Sequence, residues 1–150
     1  MVITLKPIGL AHSPFKKKED IDPKEFANRQ GFEAVTGELE IAEEFEEGLT
    51  DIEGFSHIIV IFGFHKSKGF RLKPVPLLEE KPRGVFSTRS PHRPNPIGIT
   101  VMKILERQTN VLRVSGMDLF EGTPILDIKP YTPRDKKENI KIGWLTGKIR

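Results

Sequence analysis

Residues 57–64 have the sequence HIIVIFGF, which is the clearest strand signal in the chain. β-Branched and aromatic residues follow one another without a proline, over a length typical of one strand. Its apolar part, residues 58–64, is the longest apolar run in the sequence, and it is much too short to span a membrane. The segment therefore predicts one buried, central strand.

Short β-rich segments flank this strand on both sides. Residues 97–107 and 111–117 form a predicted hairpin, because Gln108, Thr109 and Asn110 between them have good turn chemistry. Many short strands with few helices predict a mainly β, single-domain protein over residues 1–150: a small, compact β-barrel, or a closely related all-β fold, with short helices and long loops. We expect further strands at 2–10, 32–41, 125–128 and 142–149, an extended piece at 85–88, a short acidic helix at 43–54, and a loop with one helical turn at 15–31.

Composition excludes several classes of protein. The chain has 150 residues, of which 37% are apolar and 30% charged, so it is neither a membrane bundle nor a disordered polyelectrolyte. It contains no cysteine, which removes disulfides, thiolate nucleophiles and cysteine-based zinc sites. Its first residues do not form a signal peptide. We therefore expect a soluble, cytoplasmic protein that does not associate with membranes.

Several chemical signatures are absent from the sequence. There is no glycine-rich dinucleotide fingerprint, no phosphate-binding P-loop and no nucleophile elbow. The four histidines lie far apart and no HExxH occurs, so we expect no metal site. Hydrolases and metalloenzymes are therefore disfavoured.

Charge is distributed unevenly along the chain. Residues 1–82 carry 11 Lys and Arg against 15 Asp and Glu, whereas residues 83–150 carry 13 against 6. The basic second part is compatible with an anionic partner, and an uneven solvated surface is the alternative.

The most unusual segment is STRSPHRPNPIG at residues 87–98. Three prolines in six residues fix their own φ angles and make the segment stiff and non-helical. Arg89 precedes these prolines, and His92, Arg93 and Asn95 lie between them; all four can donate to carboxylates, phosphates or base edges. A rigid turn that caps a barrel is the alternative, but it does not require these donors. The pattern favours a binding function.

A second unusual segment is DLFEGTPILDIKPY at residues 118–131. The strand within it places Asp127 and Lys129 on the same face, near Tyr131. Such a group can line a site, or it can be an internal salt bridge beside a packed tyrosine. Two polar segments, NRQG at 28–31 and HK at 65–66, are more typical of solvated loops when taken singly.

Together, the segments 87–98 and 122–131 make the sequence similar to the TsaA-like, or TrmO-type, family of S-adenosyl-L-methionine-dependent tRNA methyltransferases. The resemblance extends over residues 5–131. It implies a small β-barrel, a homodimer, and methylation of N6 of N6-threonylcarbamoyladenosine beside the anticodon of a tRNA. It also implies a set of cofactor-binding residues: Asn28, Arg29, Gln30, His65, Lys66, Arg89, Ile99, Leu126, Asp127, Ile128 and Lys129.

In this interpretation Arg89 contacts an anionic group of S-adenosyl-L-methionine and Asp127 contacts a donor. Backbone groups at Ile99 and residues 126–128 contact the adenine edge. The lysines at 16–18 and the basic second part of the chain bind tRNA phosphates. The catalytic base stays open between Asp127, Tyr131 and a histidine.

Two other functions remain compatible with the sequence. One is a non-enzymatic RNA-binding β-barrel, which would bind RNA without the cofactor. The other is an S-adenosyl-L-methionine-dependent methyltransferase that acts on a small molecule or a protein. A purely structural subunit explains neither unusual segment.

Overall fold

The computed structural model describes residues 1–22 and 29–149, with the backbone alone at Arg29 and Gln30. In this part of the chain six antiparallel strands close into a barrel in the order β1-β2-β5-β4-β3-β6. The predicted small β-barrel is confirmed. The strands are β1 (Gly9–His12), β2 (Thr36–Ile41), β3 (His57–Gly63), β4 (Ile97–Gln108), β5 (Val111–Ser115) and β6 (Pro124–Pro130).

Strand β3 lies between β4 and β6, as the sequence predicted for a central strand. Its side chains alternate, so that Ile58, Val60 and Phe62 are buried in the barrel while Ile59 and Ile61 lie half-buried on the outer face. Inward-facing aliphatic residues of the other strands complete the core. Because burial of each such side chain stabilises the fold by about 1.5–3 kcal/mol, the alternation fixes which face of β3 points inward.

The predicted hairpin between β4 and β5 is also present. Thr109 has a φ of 57° and Asn110 follows it in the two-residue turn. The Asn110 side chain donates a 2.7 Å hydrogen bond to the carbonyl oxygen of Ile41, which ties the turn to β2. Strand β5 pairs with β4 only from Lys103 onward. One edge of the first half of β4 is therefore not covered by β5.

Several sequence-based boundaries were wrong. Strand β1 begins at Gly9 rather than residue 2, because pairing with β2 and β6 starts there. The acidic segment forms two 3-10 helices instead of one helix, and Asp51, with a φ of 73°, separates them. The segments expected to be extended at 85–88 and 142–149 instead contain the 3-10 helices Val85–Ser87 and Gly143–Leu145. The 3-10 helices of the described residues are Lys18–Asp20, Arg29–Phe32, Glu43–Leu49, Ile52–Gly54, Val85–Ser87, Pro133–Asp135 and Gly143–Leu145.

The described residues contain neither a membrane-spanning helix nor a metal-binding cluster. No helix there has the length and apolar character to cross a membrane. Across residues 1–22 and 29–149, no three His, Asp or Glu side chains are grouped so as to hold a metal ion.

Candidate functional site

Two adjoining cavities lie where β3 ends, and they share Phe62, Phe64 and Asp118. The first, here called the His65 pocket, has a volume of about 200 Å³. The second, here called the Arg89 pocket, has a volume of about 470 Å³. The His65 pocket is lined by Phe62, Gly63, Phe64, His65, Lys66, Ser67, Pro91, Asp118, Leu119, Phe120 and Thr123. The Arg89 pocket is lined by Phe62, Phe64, Phe86, Thr88, Arg89, Arg93, Ile97, Gly98, Ile99 and Asp118.

Four residues of the predicted cofactor site thus lie around one pair of cavities. His65 and Lys66 line one cavity, and Arg89 and Ile99 line the other. These residues come from three separate segments of the sequence. The end of β3, the start of β4 and the proline-rich segment bring them together.

Hydrogen bonds within the proline-rich segment give it a fixed shape. Arg93 Nη1 donates to the carbonyl oxygens of Thr88, at 2.9 Å, and Ser90, at 3.1 Å. The His92 ring is 2.7 Å from the Ser67 hydroxyl. Two of the donors expected to contact a ligand, His92 and Arg93, are therefore engaged in holding the segment itself.

Arg89 differs from its neighbours in this segment. It is exposed, it lines the Arg89 pocket, and it forms no hydrogen bond or ion pair with any described residue. A guanidinium on a stiff backbone loses little further freedom when it binds an anion. Arg89 is thus the cation of this segment that is available to a ligand.

His65 and Lys66 have different electrostatic states. Partial desolvation of the ring, and then the positive charge of Lys66, lower the pKa of His65, so its imidazole is neutral at pH 7. The Lys66 ammonium donates a 2.6 Å hydrogen bond to the carbonyl oxygen of Lys16 and lies 4.9 Å from the centroid of the Phe120 ring. Lys66 therefore attaches the start of the lysine cluster to the rim of the His65 pocket.

The backbone of Ile99 faces the open edge of β4. Phe64 N–H donates to Pro96 O at 2.7 Å, which makes residues 62 and 98 a hydrogen-bonded pair and residues 61 and 99 a non-hydrogen-bonded one. The N–H and C=O of Ile99 therefore point away from β3, toward the side that β5 does not reach. Neither group bonds to another described backbone group. A donor and an acceptor are thus available there to one edge of a heterocycle.

The predicted residues of β6 lie on the other side of β3. Ile61 pairs with Ile99 of β4 and with Asp127 of β6, so those two residues are two strand spacings apart, about 10 Å. Asp127 forms an ion pair with Lys129 at 3.0 Å and accepts a 2.9 Å hydrogen bond from the Ile128 N–H. The predicted common face of Asp127 and Lys129 is confirmed. Residues 126–129 do not line either pocket.

The polar segment at 28–31 is only partly described. Asn28 lies outside the described residues. Arg29 and Gln30 belong to the 3-10 helix Arg29–Phe32. Their predicted roles in the cofactor site stay predictions.

Sequence reasoning missed the residues that the two pockets share. Asp118 is half-buried and accepts a 3.0 Å hydrogen bond from Thr100, which is 3% exposed. The Phe62 and Phe64 rings meet edge to face with centroids 5.0 Å apart. The close approach of these rings requires a glycine at position 98, because a Cβ there would collide with both of them. The pockets therefore combine an aromatic floor, a carboxylate, a neutral imidazole and a cation.

Comparisons with known proteins place this arrangement in a family. Residues 10–136 match the family described as "tRNA-methyltransferase O N-terminal domain". The chain is 48% identical over 146 residues to a probable S-adenosyl-L-methionine-binding protein of Pyrococcus abyssi, with 97% of this chain and 77% of the relative covered. It is 46% identical over 130 residues to an S-adenosyl-L-methionine-binding protein of Archaeoglobus fulgidus, with 86% and 89% covered.

More distant relatives and solved structures indicate the same family. The chain is 43% identical over 99 residues to the tRNA (adenine(37)-N6)-methyltransferase of Homo sapiens, covering 63% of this chain and 22% of that protein. A crystal structure of TrmO superposes with a TM-score of 0.76 at 36% identity, covering 95% of this chain and 64% of that one. The chain thus spans a little under two thirds of that solved protein. On this evidence the chain belongs to the tRNA-methyltransferase O N-terminal domain family.

Proposed function

We propose that this chain is an S-adenosyl-L-methionine-dependent methyltransferase that modifies N6 of N6-threonylcarbamoyladenosine next to the anticodon of a tRNA. One observation carries the proposal. Arg89, with no protein partner among the described residues, and the open backbone edge of Ile99 meet at one cavity, in a chain 48% identical to a probable S-adenosyl-L-methionine-binding protein. The names of the mammalian relatives support tRNA adenine as the acceptor.

The residues present fit the cofactor. The guanidinium of Arg89 would bind its carboxylate, and the free N–H and C=O of Ile99 would bind the adenine edge. Phe62 and Phe64 supply an apolar floor, and Asp118 supplies an acceptor for ammonium or hydroxyl donors. When bound, S-adenosyl-L-methionine supplies an electrophilic methyl group on a sulfonium.

The residues around the pockets would act mainly by positioning the acceptor. When the acceptor nitrogen is held in line with the reacting groups, this orientation alone supplies much of the rate of methyl transfer. The neutral imidazole of His65 can accept a proton from the ureido-linked N6. The lysine cluster at residues 16–18, attached through Lys66 to the pocket rim, would hold phosphates of the anticodon stem and loop.

We propose that the enzyme works as a cytoplasmic homodimer. Ile97, Ile99 and Val101 are 39%, 47% and 37% exposed on the outer face of β4. With Ile59 and Ile61 of β3 they make an apolar strip that a second copy would bury. Light scattering at micromolar concentration tests this: Val101→Glu should shift a wild-type dimer to monomer.

Transfer of labelled methyl from S-adenosyl-L-methionine to total tRNA that lacks this methylation tests the activity, with unmodified transcript as control. Label on native tRNA alone would support a methyltransferase that recognises a pre-modified adenosine. Cofactor binding without label would point to another acceptor. RNA binding without cofactor binding would support the non-enzymatic β-barrel.

A further inference from the structure

A third cavity of about 770 Å³ adjoins the Arg89 pocket and shares Phe86, Thr88 and Arg89 with it. We call it the C-terminal groove, because one wall comes from residues 141–145, beyond the part of the chain that matches the family. Its lining residues are Val75, Pro76, Leu77, Leu78, Phe86, Ser87, Thr88, Arg89, Ser90, Pro91, Lys141, Ile142, Gly143, Trp144 and Leu145.

The C-terminal wall of this groove is firmly attached. Trp144 Nε1 donates a 2.8 Å hydrogen bond to the Ser87 carbonyl oxygen, and Arg83 and Lys148 each lie 5.7 Å from the Trp144 ring centroid. Glu79 binds both of these cations. The hydrogen bond from Arg83 is the main cause that lowers the pKa of Glu79 to about 2, so this network stays ionised throughout the neutral range.

The lining of the groove matches the chemistry of a nucleotide. Phe86, 80% exposed, and Trp144 offer aromatic surface, while Arg89 and Lys141 offer positive charge. None of the described residues that line the groove carries a carboxylate. Aromatic faces stack on any base, and cations neutralise the adjoining phosphates, which is the combination used to bind single-stranded nucleic acid.

We propose that the C-terminal groove binds a nucleotide of single-stranded RNA beside the residue that is methylated. The identity of that RNA as the anticodon loop of the acceptor tRNA rests on the proposed function. The groove shares three lining residues with the Arg89 pocket, so a nucleotide in it would place its neighbour beside the candidate cofactor site. Such a loop is already unpaired, so little energy is needed to present its bases.

Trp144 is the only tryptophan in the chain and lines the groove, so its fluorescence is a local probe. We would titrate the full chain, without cofactor, with a single-stranded pentaribonucleotide. The charge-reversing variant Lys141→Glu should weaken binding by roughly fivefold or more, because it replaces a phosphate-neutralising charge with a repulsive one. Lys6→Glu makes the same change in net charge at an exposed lysine of the acidic first part of the chain, outside the groove, and should stay within about twofold of wild type.

Quenching of Trp144 by the oligonucleotide, together with selective weakening by Lys141→Glu, would support the proposal. RNA binding that leaves the fluorescence unchanged, or that both lysine variants weaken equally, would overturn it. A fluorescence change that follows protein concentration alone, with dimerisation in light scattering, would show that a second copy occupies the groove and would also overturn it. Because this titration needs no cofactor or methyl transfer, failure of the proposed enzyme activity would be seen separately.

Discussion

The indole Nε1 of Trp144 donates a 2.8 Å hydrogen bond to the carbonyl oxygen of Ser87. Ser87 ends the 3-10 helix Val85–Ser87 and lies two residues before Arg89. A residue outside the part of the chain that matches the family therefore holds the backbone that presents the available cation of the candidate site. The position of Arg89 depends on this contact as well as on the prolines that follow it.

Trp144→Phe should weaken cofactor binding without unfolding the protein. Phenylalanine keeps an aromatic ring for Arg83 and Lys148 but removes the donor to Ser87. One such hydrogen bond contributes about 1 kcal/mol, which sets the upper bound of the effect, so we expect binding of S-adenosyl-L-methionine to weaken by up to roughly fivefold. Isothermal titration calorimetry measures this, and thermal melting controls for folding. Wild-type affinity in both Trp144→Phe and Trp144→Ala would contradict a positioning role.

Gly98→Ala should destabilise the protein at the shared floor of the two pockets. The added Cβ would collide with the Phe62 ring and lie 2.7 Å from Cζ of Phe64, and both rings would have to move. Such overpacking costs about 1–3 kcal/mol, a fall in melting temperature of at least about 2 °C for a chain of this size. Gly84→Ala is the matched control, because its Cβ meets nothing within 4 Å. Equal melting temperatures for both variants would contradict the described packing.

His12 should stabilise the protein only in mildly acidic to neutral solution. A 2.7 Å hydrogen bond with Glu121 raises the pKa of His12 above its usual 6.5, with Glu40 adding to the effect. The Ser13 N–H, and then His12, lower the pKa of Glu121 below its usual 4.5. The histidine contribution is complete below pH 6.5 and disappears as the pH rises through its raised pKa. The glutamate contribution is present above pH 4.5 and is lost as the pH falls through its lowered pKa.

Thermal melts of His12→Gln and wild type at about pH 5.5 and pH 8.5 test this window. Because the His12 side chain is 40% exposed, solvent screening limits the pair to less than about 1 kcal/mol, a difference of a few degrees at most. The difference should be present at the lower pH and close to zero at the higher. His92→Gln, which removes an imidazole that bonds to a serine hydroxyl, is the control. An equal difference at both pH values would refute the linkage.

The fold could be predicted wherever the local pattern decides it. The β-branched and aromatic run of β3 and the turn chemistry before Val111 depend on neighbouring residues, and both the strand and the hairpin were predicted correctly. The start of β1 could not be predicted from the sequence, because residues 2–8 have strand-like composition. Only pairing with β2 and β6 determines that the strand begins at Gly9. Likewise, the left-handed conformation of Asp51 divides an acidic segment whose composition favours one helix.

The candidate site could likewise be predicted from the sequence only where local residues decide it. Arg89 stands in a segment whose stiffness and donors are visible in the sequence. The hydrogen bonds that Arg93 donates within this segment are not visible in the sequence, because their acceptors are backbone carbonyls. The hydrogen bond from Thr100 to Asp118, and the shared floor, exist only once the barrel closes. The open edge of Ile99 requires the register of β3 on β4 and the late start of β5 pairing.

The most direct test of the account is the affinity of Arg89→Ala for S-adenosyl-L-methionine, measured by isothermal titration calorimetry against wild type and Arg71→Ala. Arg71 is an exposed arginine that lines neither pocket, so it controls for loss of a surface charge. A charge-assisted hydrogen bond contributes about 1.5–3 kcal/mol, so Arg89→Ala should bind at least about tenfold more weakly while its melting temperature stays within about 2 °C of wild type. Arg71→Ala should bind as wild type does. Wild-type affinity in a folded Arg89→Ala protein would contradict the assignment of this pocket to the cofactor.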